Sequence, residues 1–182
     1  MNKWLLSMIL FLSFTVVLFI NLQNNSEVGN QFSTNLEDVT NEEMEAVILE
    51  NPNIFPMRVA LANRYFDEVD YSNALPHYMY VAENSDESEI KSFALAQIAW
   101  MVFESGNTEV ATNYLNESLN INNNSLIAKS YLGIIYLQDP STKNEGLELL
   151  ENILSSNKLS KEDRELIERL LPVSYTHLTL PT

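Results

Sequence analysis

The chain has 182 residues, of which 46% are hydrophobic, and its 10 Lys and Arg against 25 Asp and Glu give a formal net charge of −15. The length predicts one domain with at most an appendage, and the acidic balance argues against nucleic acid and against docking on anionic lipid. The lack of cysteine excludes disulfides and cysteine-ligated metals, and two histidines leave little material for a histidine metal site or a hydrolytic triad.

The N-terminus contains a candidate membrane anchor. Lys3 is the only charged residue before Glu27, and Trp4–Ile20 is apolar apart from two serines and a threonine. This length approaches what a helix needs to cross the hydrocarbon layer, and no small-residue cleavage site follows it. We therefore expect an uncleaved signal anchor at residues 1–22, with a cleaved signal peptide or a buried core helix as the alternatives. By the positive-inside rule, Lys3 predicts a single-pass protein of the cell membrane with a cytoplasmic N-terminus and an extracytoplasmic acidic domain.

Residues 23–39 are polar, rich in asparagine and without periodicity, which predicts a flexible stalk. Helical patterns begin directly after it. Thr40 and Glu43 have the spacing of a capping box, which predicts a helix over Asn41–Glu50, and the Asn51–Asn53 cluster ends that helix.

Three helical hairpins follow, because one pattern recurs after 37 and then after 34 residues. Leu61 on the first copy corresponds to Ile98 and Leu132 on the others. Small residues occupy the positions where paired helices are expected to cross closely: Ala62, Ala99 and Gly133 on the first helices, and Ala74, Ala111 and Gly146 on the second. Gly106 suits a turn with positive φ, and Val69 stands at the equivalent position of the first hairpin.

Residues from about Pro52 to Leu154 resemble three tetratricopeptide repeats, a family with a 34-residue helix–turn–helix period. The resemblance implies an all-α fold in which antiparallel helix pairs stack as an α-solenoid. The usual tryptophan of each repeat is absent, since Arg58, Leu95 and Lys129 stand in its place. The predicted architecture is an N-terminal transmembrane helix followed by a three-repeat tetratricopeptide domain over residues 40–172.

The end of the chain divides into two parts. Ser160 and Asp163 open an amphipathic pattern that predicts a helix capping the solenoid, with the apolar stripe Leu166, Ile167, Leu170 and Leu171. Residues 173–182 fit no element and resemble a non-native read-through tail. His77 is then the one remaining histidine of interest. We expect it to be exposed, on the side of its helix turned away from the apolar face, and we expect no enzymatic activity.

Tetratricopeptide arrays bind extended peptides or helices on the concave face formed by the first helix of each repeat. The resemblance therefore implies a peptide-binding groove lined by Asn63, Phe66, Asp67, Trp100, Phe103, Glu104, Ile134, Leu137 and Gln138. Its floor is predicted to be aromatic and aliphatic, with acid at one end, and Phe66, Trp100 and Phe103 are the expected anchors. The alternative is that the capping helix or a dimer partner covers these residues.

These features predict a protein-binding adaptor or chaperone-like module that uses no cofactor or metal and binds neither nucleic acid nor a small-molecule substrate. Its partner is another protein or a peptide segment, and a basic one would complement the acidic domain. The layout of residues 45–81 is similar to repeat-containing cytochrome c maturation factors of the bacterial periplasmic side, which implies that the repeats hold apocytochrome c. The alternative is an envelope structural or assembly protein that oligomerises through its repeats.

Overall fold

Seven α-helices and no strand make up the part of the chain that the computed structural model describes, which is residues 39–155 together with Leu159, Arg164, Ile167 and Glu168. The helices are α1 (Asn41–Glu50), α2 (Phe55–Asp67), α3 (Tyr71–Asn84), α4 (Ser88–Glu104), α5 (Thr108–Ile121), α6 (Leu126–Gln138) and α7 (Lys143–Leu154). The fold is all-α, as predicted. No helix among the described residues is long and apolar enough to cross a bilayer. The predicted anchor at residues 1–22, the tail at 173–182 and all of the predicted stalk except Val39 lie outside the described residues.

α1 begins where the capping box predicts it. The Glu43 amide donates to Thr40 Oγ1 at 3.2 Å, and the Thr40 amide donates to Glu43 Oε2 at 2.9 Å. Both bonds satisfy N–H groups that have no partner within the helix. Met44 and Ile48, one turn apart, are buried against Leu61 of α2. α1 therefore covers one side of the next helix through a small apolar core of its own.

The remaining six helices form three hairpins, which we call hairpin 1 (α2 and α3), hairpin 2 (α4 and α5) and hairpin 3 (α6 and α7). Each helix packs on its neighbours along the chain, and α4 also packs against α2 and α6. The tight turns of hairpins 1 and 2 contain the equivalent residues Val69 and Gly106, at φ of 61° and 91°. Gly106 thus has the backbone conformation that its position predicts, and Val69 adopts the same conformation despite its branched Cβ.

Close crossing of paired helices is clearest in hairpin 3. All six small residues predicted at the crossings are buried. A Cβ added to Gly146 would lie 2.7 Å from the Gly133 carbonyl oxygen and 2.9 Å from the Leu137 amide nitrogen. Since real Cβ atoms do not approach main chain so closely, α6 and α7 touch backbone to backbone at this point.

Part of the predicted capping helix is described. Ile167, on its predicted apolar stripe, is 1% exposed and belongs to the main core. Arg164 Nη1 donates to the Leu154 carbonyl oxygen at 2.7 Å, at the last residue of α7. Ile167 therefore packs in the main core and Arg164 contacts the end of α7, while the other three stripe residues lie outside the described residues.

Candidate binding groove

The predicted groove lies on the surface formed by α2, α4 and α6, which we call the first-helix face. Because α4 contacts both α2 and α6, the three helices are neighbours there. We call residues at equivalent positions of the three helices a row. The nine predicted residues form three such rows: Asn63, Trp100 and Ile134; Phe66, Phe103 and Leu137; and Asp67, Glu104 and Gln138. That these positions together form one groove stays a prediction.

The nine residues differ in accessibility. Phe66 and Trp100 are buried, at 1% and 4% exposure. Asn63, Asp67, Phe103, Ile134 and Leu137 are partly buried, and Glu104 and Gln138 are exposed. The accessible floor is thus apolar towards α6 and polar at the C-terminal ends of the three helices.

The burial of Phe66 and Trp100 corrects the prediction that both are exposed anchors. The Trp100 ring lies 4.6 Å from Tyr131 and 5.4 Å from Phe103, and the Phe66 ring lies 5.4 Å from Tyr71. The Trp100–Tyr131 contact joins α4 to α6, so Trp100 contributes to packing between hairpins 2 and 3, whereas Phe66 packs on Tyr71 within hairpin 1. Phe103 retains accessible surface, and whether it contacts a partner stays a prediction.

Asn63 takes part in a buried polar chain that sequence reasoning missed. The Tyr78 hydroxyl donates to Asn63 Oδ1, and Gln97 Nε2 donates to the Tyr78 oxygen at 3.4 Å. The Tyr131 hydroxyl donates to Gln97 Oε1 at 3.0 Å, so the chain reaches from hairpin 1 to hairpin 3. Burial raises the pKa of both tyrosine hydroxyls well above the ordinary value. Both stay protonated and act as donors, which ties the first-helix face into one unit.

The acidic end of the face carries an electrostatically unfavourable carboxylate. Glu104 is the last residue of α4, where the helix macrodipole is negative, and the last turn of α4 contains no basic residue. Glu104 is exposed as a whole residue, but its carboxyl is partly withdrawn from water, which raises the pKa of that carboxyl. The pKa of nearby Tyr71 rises to about 12, through burial first and the negative charge of Glu104 second. A positively charged group at this position would relieve both effects.

His77 is buried, which corrects the prediction that it is exposed. Its Nε2 lies 3.0 Å from Glu45 Oε1 of α1 and its Nδ1 lies 3.3 Å from Arg58 Nη1, and the side chain is 10% exposed. A neutral ring protonated at Nε2 satisfies both contacts, since Nε2 then donates to Glu45 and Nδ1 accepts from Arg58. The apolar face of α3 meets α2 and α4, and His77 lies on a further side of α3 that contacts α1 through Glu45. Both ring nitrogens are engaged, so neither is available for proton transfer to a substrate.

Arg58 holds this network together. Its Nε donates to the Pro52 carbonyl oxygen at 3.1 Å, and its guanidinium lies 4.0 Å from the centre of the Tyr80 ring. It stands where a tetratricopeptide repeat usually has tryptophan, so a stacked cation replaces the expected ring. Burial lowers the pKa of the guanidinium, although it remains charged.

The described residues contain no group of three or more His, Asp or Glu side chains that could hold a metal ion. A comparison with protein-family models finds no match for the chain, and a comparison with curated proteins finds none either. Two features of the first-helix face bear on function: the accessible apolar surface of Phe103, Ile134 and Leu137, and the unfavourable carboxylate of Glu104.

Proposed function

We propose that the chain is a membrane-anchored, extracytoplasmic member of the tetratricopeptide family that binds a basic peptide segment of another protein and performs no chemistry. The anchor at residues 1–22 would tether the helical domain to the outer side of the cytoplasmic membrane. The acidic domain would then meet its partner there.

The placement of Glu104 carries this proposal. The carboxylate is partly desolvated, lies at the negative end of α4 and raises the pKa of Tyr71, so it does not serve the stability of the fold. Beside it, Phe103, Ile134 and Leu137 retain accessible apolar surface. An apolar strip ending in an unfavourable acid suits a peptide with an apolar side chain and a nearby Lys or Arg.

A more specific proposal names the client as apocytochrome c, in line with the resemblance of residues 45–81 to cytochrome c maturation factors. That resemblance implies that the repeats hold the unfolded, haem-free chain and not the folded cytochrome. The test is to measure binding of haem-free and of folded holocytochrome c to the full-length protein in nanodiscs of neutral lipid. Selective binding of the haem-free form is expected.

Two variants test the face itself. Phe103→Ala and Glu104→Gln should each weaken binding about 10-fold, whereas Glu117→Gln, at an exposed site on α5, should change it less than about 2-fold. Thermal unfolding of each variant separates lost contacts from lost structure. Equal binding of both cytochrome forms refutes the cytochrome proposal alone. Equal effects of Glu104→Gln and Glu117→Gln refute the assignment of the site.

The alternative, an envelope structural or assembly protein, draws on one feature of α1. Leu49 and Val47 are 85% and 38% exposed at the end of the stack opposite hairpin 3. An exposed leucine at a terminal helix suits end-to-end association of solenoids. Light scattering of the full-length protein separates the two functions, since an oligomer that Leu49→Gln dissociates supports this alternative and a monomer supports the adaptor.

A further inference from the structure

A cleft opens between α6 and α7, away from the nine residues of the predicted groove. It has a volume of about 350 Å³ and is lined by Leu132, Tyr136, Glu145, Glu148, Leu149 and Asn152. Leu132 is buried, Tyr136 and Leu149 are partly buried, and the two glutamates and Asn152 are exposed. The α6–α7 cleft therefore has an apolar floor and an acidic rim.

The repeat register gives this floor a counterpart in hairpin 1. Leu132 and Tyr136 are equivalent to Leu61 and Tyr65, each 71 residues earlier. Leu149 is equivalent to His77, 72 residues earlier, because the turn of hairpin 3 contains one extra residue. The same three positions thus form a floor in both hairpins.

In hairpin 1 that floor receives a helix. Met44 and Ile48 of α1 pack against Leu61, and Glu45 of α1 accepts hydrogen bonds from His77 and from the Tyr65 hydroxyl. The helix supplies apolar side chains and one acid, and the hairpin supplies the complementary base. In hairpin 3, α5 takes the place of α1, since it packs on α6 as α1 packs on α2. The described lining of the cleft comes from α6 and α7 alone, and Tyr136 and Leu149 keep accessible surface there.

The charge of the rim is the reverse of that in hairpin 1. Glu145 and Glu148 form no ion pair with another described residue. Lys129, the equivalent of Arg58, is not part of the described lining and forms no such ion pair either. An occupant of the α6–α7 cleft must bring the base itself, since the acid is on the hairpin.

We infer that the α6–α7 cleft binds a basic amphipathic segment of a second protein. An apolar side chain of that segment packs on Tyr136 and Leu149, and Lys or Arg side chains on either side of it pair with Glu145 and Glu148. This site is distinct from the first-helix face, so one molecule can hold two segments at once.

The probe for this site is a synthetic amphipathic peptide of about 18 residues with leucine and lysine in helical spacing, and its control is the same peptide with glutamate in place of lysine. The protein is the full chain in nanodiscs of neutral lipid, with labelled leucine methyl groups. The lysine peptide should shift the Leu149 methyl signals, and the glutamate peptide should not. Glu145→Gln combined with Glu148→Gln should weaken binding about 10-fold.

A matched pair of substitutions controls for the net charge of the chain. Asp86→Asn combined with Glu89→Gln removes two exposed acids that are three residues apart, as Glu145 and Glu148 are. Glu89 lies in the first turn of α4, as Glu145 lies in the first turn of α7. Binding should change less than about 2-fold. Equal loss in the two double variants shows attraction to overall charge and overturns the inference, as does binding that leaves the Leu149 signals unmoved. Self-association that Glu145→Gln with Glu148→Gln abolishes also overturns it, because the occupant is then a second copy of the chain.

Discussion

Gly146→Ala tests the backbone contact on which hairpin 3 is built. Alanine in place of a helical glycine ordinarily stabilises a protein by up to about 1 kcal/mol. Here the new Cβ would lie 2.7 Å from the Gly133 oxygen and 2.9 Å from the Leu137 nitrogen, both main-chain atoms that cannot rotate away. Overpacking of a tight core costs about 1 to 3 kcal/mol, and contact with backbone on two sides places this case near the upper value. The expected net loss is about 2 kcal/mol.

Gly133→Ala is the matched control from the facing helix. Its Cβ would meet Leu150 Cγ and Cδ2 at 2.9 Å and the Gly146 oxygen only at 3.3 Å. Because the Leu150 side chain can change rotamer, the loss should be about half that of Gly146→Ala. Urea unfolding of both full-length variants in detergent micelles, followed by far-ultraviolet circular dichroism, gives the two free energies of unfolding. If Gly146→Ala is as stable as the unsubstituted chain, the helices are not in backbone contact and the reasoning fails.

Three further substitutions address single contacts. His77→Ala should lower the free energy of unfolding by about 2 kcal/mol, measured by urea unfolding, since buried Arg58 and partly buried Glu45 lose a partner; an unchanged value would contradict the network. Val69→Gly should raise the midpoint of thermal unfolding, because a branched residue at a φ of 61° is strained and Val69 is 53% exposed. Glu104→Gln should stabilise the protein at pH 7 and not below about pH 3. The pKa of the Glu104 carboxyl is higher in the folded than in the unfolded protein, so its ionised form destabilises the fold above that pKa. Below about pH 3 the carboxyl is protonated in both the folded and the unfolded protein, and the destabilisation disappears.

The backbone architecture follows largely from local chemistry. The capping box at Thr40 predicts the first residue of α1, and the 37- and 34-residue offsets predict three hairpins with equivalent ends. The turn at Gly106 and the close crossing at Gly133 and Gly146 follow from residue size and backbone freedom. Each of these backbone features depends on residues that are close in sequence or that recur at a fixed period. A single sequence is therefore enough to predict them.

The errors concern side chains whose surroundings come from distant residues. His77 meets α1 through Glu45, 32 residues earlier, and the Tyr131 hydroxyl meets Gln97, 34 residues earlier. The burial of Trp100 depends on the ring of Tyr131 in the next hairpin. Helical periodicity identifies one apolar face of each helix, but a helix inside a stack is covered on several sides. Periodicity therefore underestimates how many side chains of such a helix are buried.

The acidic residues divide into two groups with different physical roles. Asp70 caps α3, and hydrogen bonds from Ser72 and Asn73 lower the pKa of its carboxyl, so its ionised form stabilises the fold. Glu45 contacts His77 at 3.0 Å and so helps to hold α1 against hairpin 1. Glu104 lies at the C-terminal end of α4, where the helix dipole is negative, and the pKa of its carboxyl is raised. Glu148 lies on the rim of the α6–α7 cleft and forms no ion pair with another described residue. Neutralising the first group should therefore reduce stability, and neutralising the second should reduce binding with stability unchanged or higher. Glu104 and Glu148, each beside accessible apolar side chains, thus suit the basic segments that we propose as partners.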